Sequence, residues 1–179
     1  MTLRVAPTLE TARLRLRAYR LGDFEPILAM MSDGDTMRHI SGAQPREDAW
    51  RRTLAGPGCW ALLGYGYWVV ERREDGAFLG QAGLADFKRA MEPSIEGVPE
   101  LGYVFAAHAH GQGYASEAVA AIVDWADRLL AARQIVAIIS AGNSASIRVA
   151  ERTGFTRSET ATYKGEPILL FRRNAPGTA

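Results

Sequence analysis

The sequence lacks the features that mark several large classes of protein. Its single cysteine, Cys59, excludes an intrachain disulfide, and its three histidines have no cysteine or aspartate beside them, which argues against a metal site. The 21 basic residues nearly balance the 20 acidic ones, so the net charge of +1 lacks the basic excess of a nucleic-acid-binding surface. No apolar run approaches the roughly 18 residues of a membrane span, and the N-terminus lacks the apolar core of a signal peptide. We therefore expect a cytoplasmic protein that binds neither nucleic acid nor a membrane.

Length and composition are those of one folded domain. Of the 179 residues, 47% are hydrophobic and 23% are charged, which suits a chain that buries a substantial core. No internal repeat, low-complexity segment or linker divides the sequence. The prediction is a single domain over residues 1–179, with its folded core at about 10–174.

The hydrophobic pattern predicts alternating strands and helices. In the first half, the predicted elements are a strand (12–20), a helix (21–31), a second helix (46–54) broken by Gly56-Pro57-Gly58, and a hairpin of two strands (67–73 and 77–87). A polar loop follows at 88–99. In the second half, they are a strand ending at Ala106, a long amphipathic helix, an apolar strand (135–139), a short helix capped by Asn143 and a closing hairpin (155–163 and 167–173).

The stretch from His110 to Glu117 turns from a strand into a helix and contains two glycines. Such a turn exposes the unpaired amides and the positive dipole of a helix start, which together favour phosphate. A nucleoside triphosphate loop is excluded because Tyr114 and Ala115 follow Gly113, where that loop needs Lys and Ser or Thr. A dinucleotide site is disfavoured because five residues separate the strand from the first glycine and the next strand (135–140) ends without an acid.

A third interpretation accounts for more of the chain. His110 to Ala115 resembles the pyrophosphate-loop motif of the GNAT superfamily of N-acetyltransferases, Arg/Gln-x-x-Gly-x-Gly/Ala, with histidine at the position where Arg or Gln is usual. The second GNAT signature, Asn-x-x-Ala/Ser followed by Gly-Phe, is similar to Asn143-x-x-Ser146 with Gly154-Phe155. Within the superfamily, residues 111–118 look most like the branch that includes the ribosomal-protein alanine N-acetyltransferases.

This resemblance implies a fold and a cofactor site. The fold would be a single α/β domain whose central sheet is mixed, largely antiparallel, flanked by helices and splayed at the cofactor strand. The acyl donor would be acetyl-CoA, with no metal. The resemblance assigns its pantetheine arm to the backbone of Val104, Phe105 and Ala106, and to Asn143 and Ser146. It assigns the pyrophosphate to the amides of Gly111, Gln112, Gly113, Tyr114, Ala115 and Ser116. Glu117 is expected to stabilise the helix start instead of facing the diphosphate.

Two catalytic residues are predicted. Many GNAT enzymes carry a tyrosine seven residues after the conserved Asn, as the acid that protonates the departing thiolate, but that position is Ala150 here. Ser146 lies on the same helix face one turn earlier and is the predicted replacement. Glu100 is the predicted base, since it begins the cofactor strand and alternates onto the face of Gly102 and Val104; Glu96 and Glu166 are reserves, and a water relay is the alternative.

The expected function is transfer of an acetyl group from acetyl-CoA to a primary amine, by direct attack in a ternary complex. Main-chain amides beside the splayed strand would stabilise the oxyanion. A CoA-binding sensor without turnover and a nicotinamide enzyme are the alternatives. The acceptor stays open between a small molecule and a protein N-terminus, because the loops expected to shape its pocket (33–58 and 88–99) carry no motif. The protein is expected to be a monomer or a homodimer.

Overall fold

The computed structural model describes residues 5–130 and 132–177, which form nine strands and five α-helices. The elements of the first half are β1 (Leu9–Glu10), β2 (Leu14–Arg17), α1 (Phe24–Ser32), α2 (Gly34–Met37), α3 (Arg46–Leu63), β3 (Tyr67–Arg72) and β4 (Phe78–Ala85). Those of the second half are β5 (Met91–Glu92), β6 (Glu100–Phe105), α4 (Tyr114–Leu129), β7 (Gln134–Ser140), α5 (Ser144–Arg152), β8 (Thr156–Tyr163) and β9 (Glu166–Asn174). Within these ranges, no helix is long and apolar enough to cross a membrane.

The strands form one mixed sheet in the order β1-β2-β3-β4-β6-β7-β9-β8-β5. Every neighbouring pair is antiparallel except β6 and β7, which run parallel. The prediction of a central mixed and largely antiparallel sheet flanked by helices is confirmed.

Helices cover both faces of the sheet. The apolar stripe of α4, which includes Ala118, Ile122 and Trp125, packs on the face that carries Leu14 and Trp68. On the opposite face, apolar residues of α1, α2 and α3 pack against Val104 of β6 and against Ala106, which follows β6. Neighbouring residues of β6 therefore point towards different helices, and this alternation determines which side chains can meet in a cleft along that strand.

Three tryptophans join the sheet to both sets of helices. Trp60 of α3, Trp68 of β3 and Trp125 of α4 lie edge to face, with ring centroids 4.8–5.3 Å apart. Edge-to-face contact is the arrangement that aromatic quadrupoles prefer. The indole nitrogen of Trp60 also donates to the carbonyl oxygen of Tyr67 at 3.0 Å. These contacts fix the far end of α3 in the main core.

The predicted break of the second helix at Gly56-Pro57-Gly58 is wrong, because α3 continues through these residues to Leu63. Pro57 removes one backbone donor, a loss of the kind that usually ends a helix. Here tertiary packing outweighs it. Gly56 lies so close to the ring of Tyr19 that a Cβ atom would approach a ring carbon to 2.7 Å. The glycine thus serves close packing, and Trp60 anchors the following turns.

A buried ionic cluster fastens the start of α1 to the sheet. The guanidinium of Arg17 donates to both oxygens of Asp23, at 2.7 and 2.8 Å, and to Glu71 at 2.6 Å. All three residues are less than 9% exposed. The cluster therefore holds two carboxylates with one guanidinium.

Substituting Arg17 with Met is expected to destabilise the fold by about 3–5 kcal/mol, because it leaves two buried carboxylates without their cation. Urea unfolding followed by circular dichroism measures the change. Arg15→Met, on the same strand, is the matched control: Arg15 forms an exposed pair with Glu10, whose loss is expected to cost less than about 1 kcal/mol. Equal costs for the two substitutions would contradict the prediction.

Candidate active site

The sheet opens between its two parallel strands. β6 and β7 share a single registered pair, Glu100 with Val136. Beyond it the middle of β6 is uncovered, and Gly102 and Tyr103 are partly exposed although they belong to a central strand. The backbone of the following residues, Val104 to Ala106, is the segment predicted to pair with pantetheine. An extended ligand that enters this opening can form hydrogen bonds with β6 as an added strand would.

The glycine turn lies at the end of this opening. A short 3₁₀ turn (Ala107–Ala109) follows β6, and both Gly111 and Gly113 adopt left-handed φ angles, of 73° and 80°, before α4 begins at Tyr114. Among the described residues, the amides of Gly111 to Ser116 have no hydrogen-bond acceptor. Six free donors at the positive end of a 16-residue helix form a site suited to phosphate oxygens.

Side chains next to the turn brace its backbone. The Nε2 atom of His110, in the position where the motif has Arg or Gln, lies 2.7 Å from the carbonyl oxygen of Phe105. The Gln112 amide donates to the carbonyl oxygen of His108 at 2.7 Å. The histidine therefore ties the turn back to the end of β6.

Glu117 connects the start of α4 to the sheet edge. Its carboxylate accepts hydrogen bonds from the backbone and side chain of Arg13, at 2.9 and 2.7 Å, and from the Thr11 hydroxyl at 2.5 Å. Burial alone would raise the pKa of Glu117, but these donors lower it overall. The carboxylate thus holds the start of α4 against the residues next to β2.

The second motif brings Asn143 and Ser146 together at the start of α5. The Asn143 side chain accepts from the Ser146 amide at 3.1 Å, which is the predicted cap. The carbonyl oxygen of Ser146 accepts a hydrogen bond from the Tyr103 hydroxyl at 3.0 Å, so α5 is bound to β6 across the opening between β6 and β7. Ser146 is half-buried, and its side chain interacts with the Tyr103 hydroxyl. Because a hydroxyl can donate and accept hydrogen bonds at the same time, it can still contact a ligand.

Glu100 is buried at the other end of the opening and carries an ion pair. Its carboxylate receives two hydrogen bonds from Arg89, at 2.5 and 2.8 Å, and the residue is 4% exposed. Burial raises the pKa of Glu100, although Arg89 opposes the shift. The Arg89 guanidinium also lies over the rings of Phe87 and Tyr163, 4.7 and 4.8 Å from their centroids. Sequence reasoning missed this arginine, because a lone cation in a polar loop gives no signal of its partner.

The two predicted catalytic residues lie on different faces of β6. Glu100, like Gly102 and Val104, faces the side of α1–α3, whereas Tyr103 and Ser146 lie on the side of α4 and α5. Base and acid can therefore reach a thioester in the opening from opposite directions. Of the reserve bases, Glu96 pairs with Lys88 at 3.3 Å in an exposed position, and Glu166 is exposed at the start of β9. Neither is buried beside the opening as Glu100 is.

Comparisons with known proteins identify the family and the fold. Residues 13–156 match the model of the acetyltransferase (GNAT) domain. The chain is 32% identical over 170 residues to the uncharacterized protein YkkB of Bacillus subtilis, which covers 93% of this chain and 95% of YkkB. A crystal structure of an acetyltransferase from Agrobacterium tumefaciens superposes with a TM-score of 0.82 at 28% identity, covering 94% of this chain and 95% of that one.

A more distant structure carries ligands. It is the spermidine N-acetyltransferase from Vibrio cholerae in complex with CoA and spermine, with a TM-score of 0.72 and coverage of 92% of this chain and 97% of that chain. At 16% identity it shows the shared fold alone.

Proposed function

Since this chain belongs to the GNAT acetyltransferase family, we propose that it transfers an acetyl group from acetyl-CoA to a primary amine by direct attack in a ternary complex. The observation that carries the proposal is the opening between β6 and β7, together with the unpaired amides of the glycine turn that follows β6. The cleft offers strand-like pairing at one end and anion binding at the other. This combination suits the pantetheine arm and pyrophosphate of CoA, and a protein of the same fold is known in complex with CoA.

The cofactor roles follow from this placement. The backbone of Val104, Phe105 and Ala106, with Asn143, holds the pantetheine arm. The amides of Gly111, Gln112, Gly113, Tyr114, Ala115 and Ser116 hold the pyrophosphate. Main-chain amides beside the splay stabilise the oxyanion that forms as the amine attacks. The acetyl group is thereby held in the part of β6 that remains exposed, at Gly102 and Tyr103.

We assign deprotonation of the amine to Glu100 and protonation of the thiolate to Ser146. The amine must lose a proton as its nitrogen attacks the thioester carbon, and Glu100 accepts it directly or through water. The carbon–sulfur bond then breaks, and the Ser146 hydroxyl hydrogen-bonds to the departing thiolate and passes it a proton that solvent replaces. Because burial raises the pKa of Glu100, the carboxylate loses its basic form as the pH falls through a value above that of an exposed glutamate.

Replacing Glu100 with Gln is expected to lower kcat severalfold or more and to remove the acidic limb of the pH–rate profile. Gln keeps an oxygen that can accept from Arg89 but cannot take up a proton at these pH values. The measurement is initial thiol release between pH 5 and 9. Glu159→Gln is the matched control, because Glu159 also pairs with an arginine, Arg172, in an exposed position. If the Glu100→Gln profile keeps the wild-type shape, water or another group in the pocket deprotonates the amine.

The proposal as a whole is tested by thiol release from acetyl-CoA with four amines: a tripeptide beginning with alanine, spermidine, kanamycin and L-glutamine. Turnover with any of them supports the enzyme. A CoA-binding sensor of the same fold is the second candidate, and the ion pair that occupies the Glu100 carboxylate favours it. Tight CoA binding by calorimetry, with no thiol release across a broader amine panel, would show that the protein is a CoA-binding sensor and not an acetyltransferase.

A further inference from the structure

Tyr67 extends across the sheet towards the exposed part of β6. It lies beside Trp68 in β3, but successive strand residues point to opposite faces. Trp68 is fully buried in the tryptophan cluster, whereas Tyr67 lies on the face of α1–α3. The register places Tyr67 opposite Gly83 of β4, and Gly83 opposite Gly102 of β6. Three strands thus contribute one tyrosine and two glycines to a single row.

Gly83 allows β3 and β4 to approach closely at Tyr67, and Gly102 leaves room for the end of the tyrosine side chain. A Cβ atom at Gly83 would approach the Cα atom of Tyr67 to 2.4 Å, and one at Gly102 would approach its hydroxyl oxygen to 2.0 Å. The phenol therefore ends directly above Gly102, where β6 is partly exposed in the splay. Gly102 lies two residues after Glu100 and two before Val104, on the same face. The hydroxyl is thus between the proposed base and the proposed pantetheine strand.

The hydroxyl of Tyr67 has no hydrogen-bond partner within residues 5–130 and 132–177. Two other tyrosines are paired: Tyr19, which follows β2, donates to Gln81 at 2.8 Å, and Tyr103 of β6 donates to the carbonyl oxygen of Ser146 at 3.0 Å. Burial, followed by the charge of Glu100, raises the pKa of Tyr67, so the group remains a neutral phenol. Tyr67 is nevertheless partly exposed, so its unpaired hydroxyl is accessible to a polar group of a ligand.

We propose that Tyr67 binds the acceptor amine, its hydroxyl oxygen accepting a hydrogen bond from the amine nitrogen above Gly102. This inference rests on the proposed acetyltransferase function. The hydrogen bond holds one N–H towards β3 and leaves the nitrogen lone pair directed along β6 at the thioester carbon. Tyr67 is then the residue that positions the nucleophile between Glu100 and the acetyl group, a contribution of orientation to the rate.

Tyr67→Phe tests the proposal, because phenylalanine keeps the ring and removes a hydroxyl that has no hydrogen-bond partner in the described part of the chain. With the amine of the four-member panel that is turned over, kcat/KM for that amine is expected to fall about tenfold or more, while the KM for acetyl-CoA and the melting temperature stay unchanged. Tyr65→Phe is the matched control, since Tyr65 packs against the main core instead. A Tyr67→Phe enzyme with wild-type kcat/KM for the amine, or with weakened CoA binding, would overturn the proposal. Absence of turnover in the wild type across the broader amine panel would refute the proposed function itself.

A second substitution tests the geometry independently of turnover. Gly102→Ala places a methyl group 2.0 Å from the Tyr67 hydroxyl oxygen, but the next ring atom is 3.2 Å away. Gly102→Ala should therefore lower the melting temperature clearly in the wild type and much less in the Tyr67→Phe background, a non-additivity that a double-mutant cycle measures. Equal losses in both backgrounds would show that the hydroxyl does not lie above Gly102, and the proposal would fail.

Discussion

Substitution of Ser146 by alanine is expected to lower kcat about 10- to 100-fold while the KM for acetyl-CoA barely changes. The physical reason is that the hydroxyl would contact sulfur chiefly when negative charge develops on it, so its loss affects the transition state more than the bound cofactor. The proposed role is compatible with the contacts of Ser146, because its hydroxyl does not cap its own helix and interacts with the Tyr103 hydroxyl beside the opening. Asn143 supplies the cap instead.

The measurement is steady-state thiol release at varied acetyl-CoA, together with thermal unfolding. Alanine has good helix propensity, so the free energy of unfolding is expected to change by less than about 1 kcal/mol. Ser144→Ala is the matched control: Ser144 begins the same helix and is exposed. It should keep wild-type turnover. If Ser146→Ala also turns over at the wild-type rate, solvent and not Ser146 protonates the departing thiolate.

Replacing Gly113 with Val is expected to weaken CoA binding at least about tenfold, equivalent to about 1.4 kcal/mol. Gly113 has a φ angle of 80°, which a β-branched residue adopts only with strain, so the turn must change its path and its amides must move. The surroundings alone would admit a side chain, since a Cβ atom would find only the Arg13 guanidinium, at 3.5 Å. The expected loss therefore comes from the backbone conformation.

Calorimetric titration with CoA measures this change, with circular dichroism to confirm that the variant is folded. Gly76→Val is the matched control, because Gly76 also has a left-handed φ of 72° and open space, but lies in the turn between β3 and β4. Comparable strain at that position should leave CoA affinity intact. If the folded Gly113→Val variant binds CoA with unchanged affinity, the glycine turn is not part of the cofactor site.

Strand-to-helix turns are the part of this fold that local chemistry specifies most directly. Gly111 and Gly113 supply backbone freedom at the start of an amphipathic helix, and Asn143 supplies a cap three residues before Ser146. Both features depend on residues within a few positions of one another. For that reason the motifs, their spacing and the alternation of strands and helices were predictable before any contact between distant residues was known.

Contacts between distant residues decided the rest. Continuation of α3 through Pro57 depends on Tyr19 and on the tryptophans of β3 and α4, none of which is close to Pro57 in sequence. The same holds for Glu100: its position at the start of β6 was predictable, whereas its ion pair with Arg89 depends on the path of the loop between β4 and β6. Sequence periodicity assigns a residue to a face, but it does not say which loop covers that face.

Tyr67 shows most clearly which features local sequence predicts and which depend on tertiary structure. The family motifs and the element order were predictable from the sequence, and strand alternation directs Tyr67 and Trp68 to opposite sides of β3. That Tyr67 crosses Gly83 to reach Gly102 depends on tertiary structure, because strand order and register bring Tyr67 next to residues 16 and 35 positions further along the chain. Local propensity acts over a few residues, whereas the cleft is built from strands brought together by burial of their apolar faces.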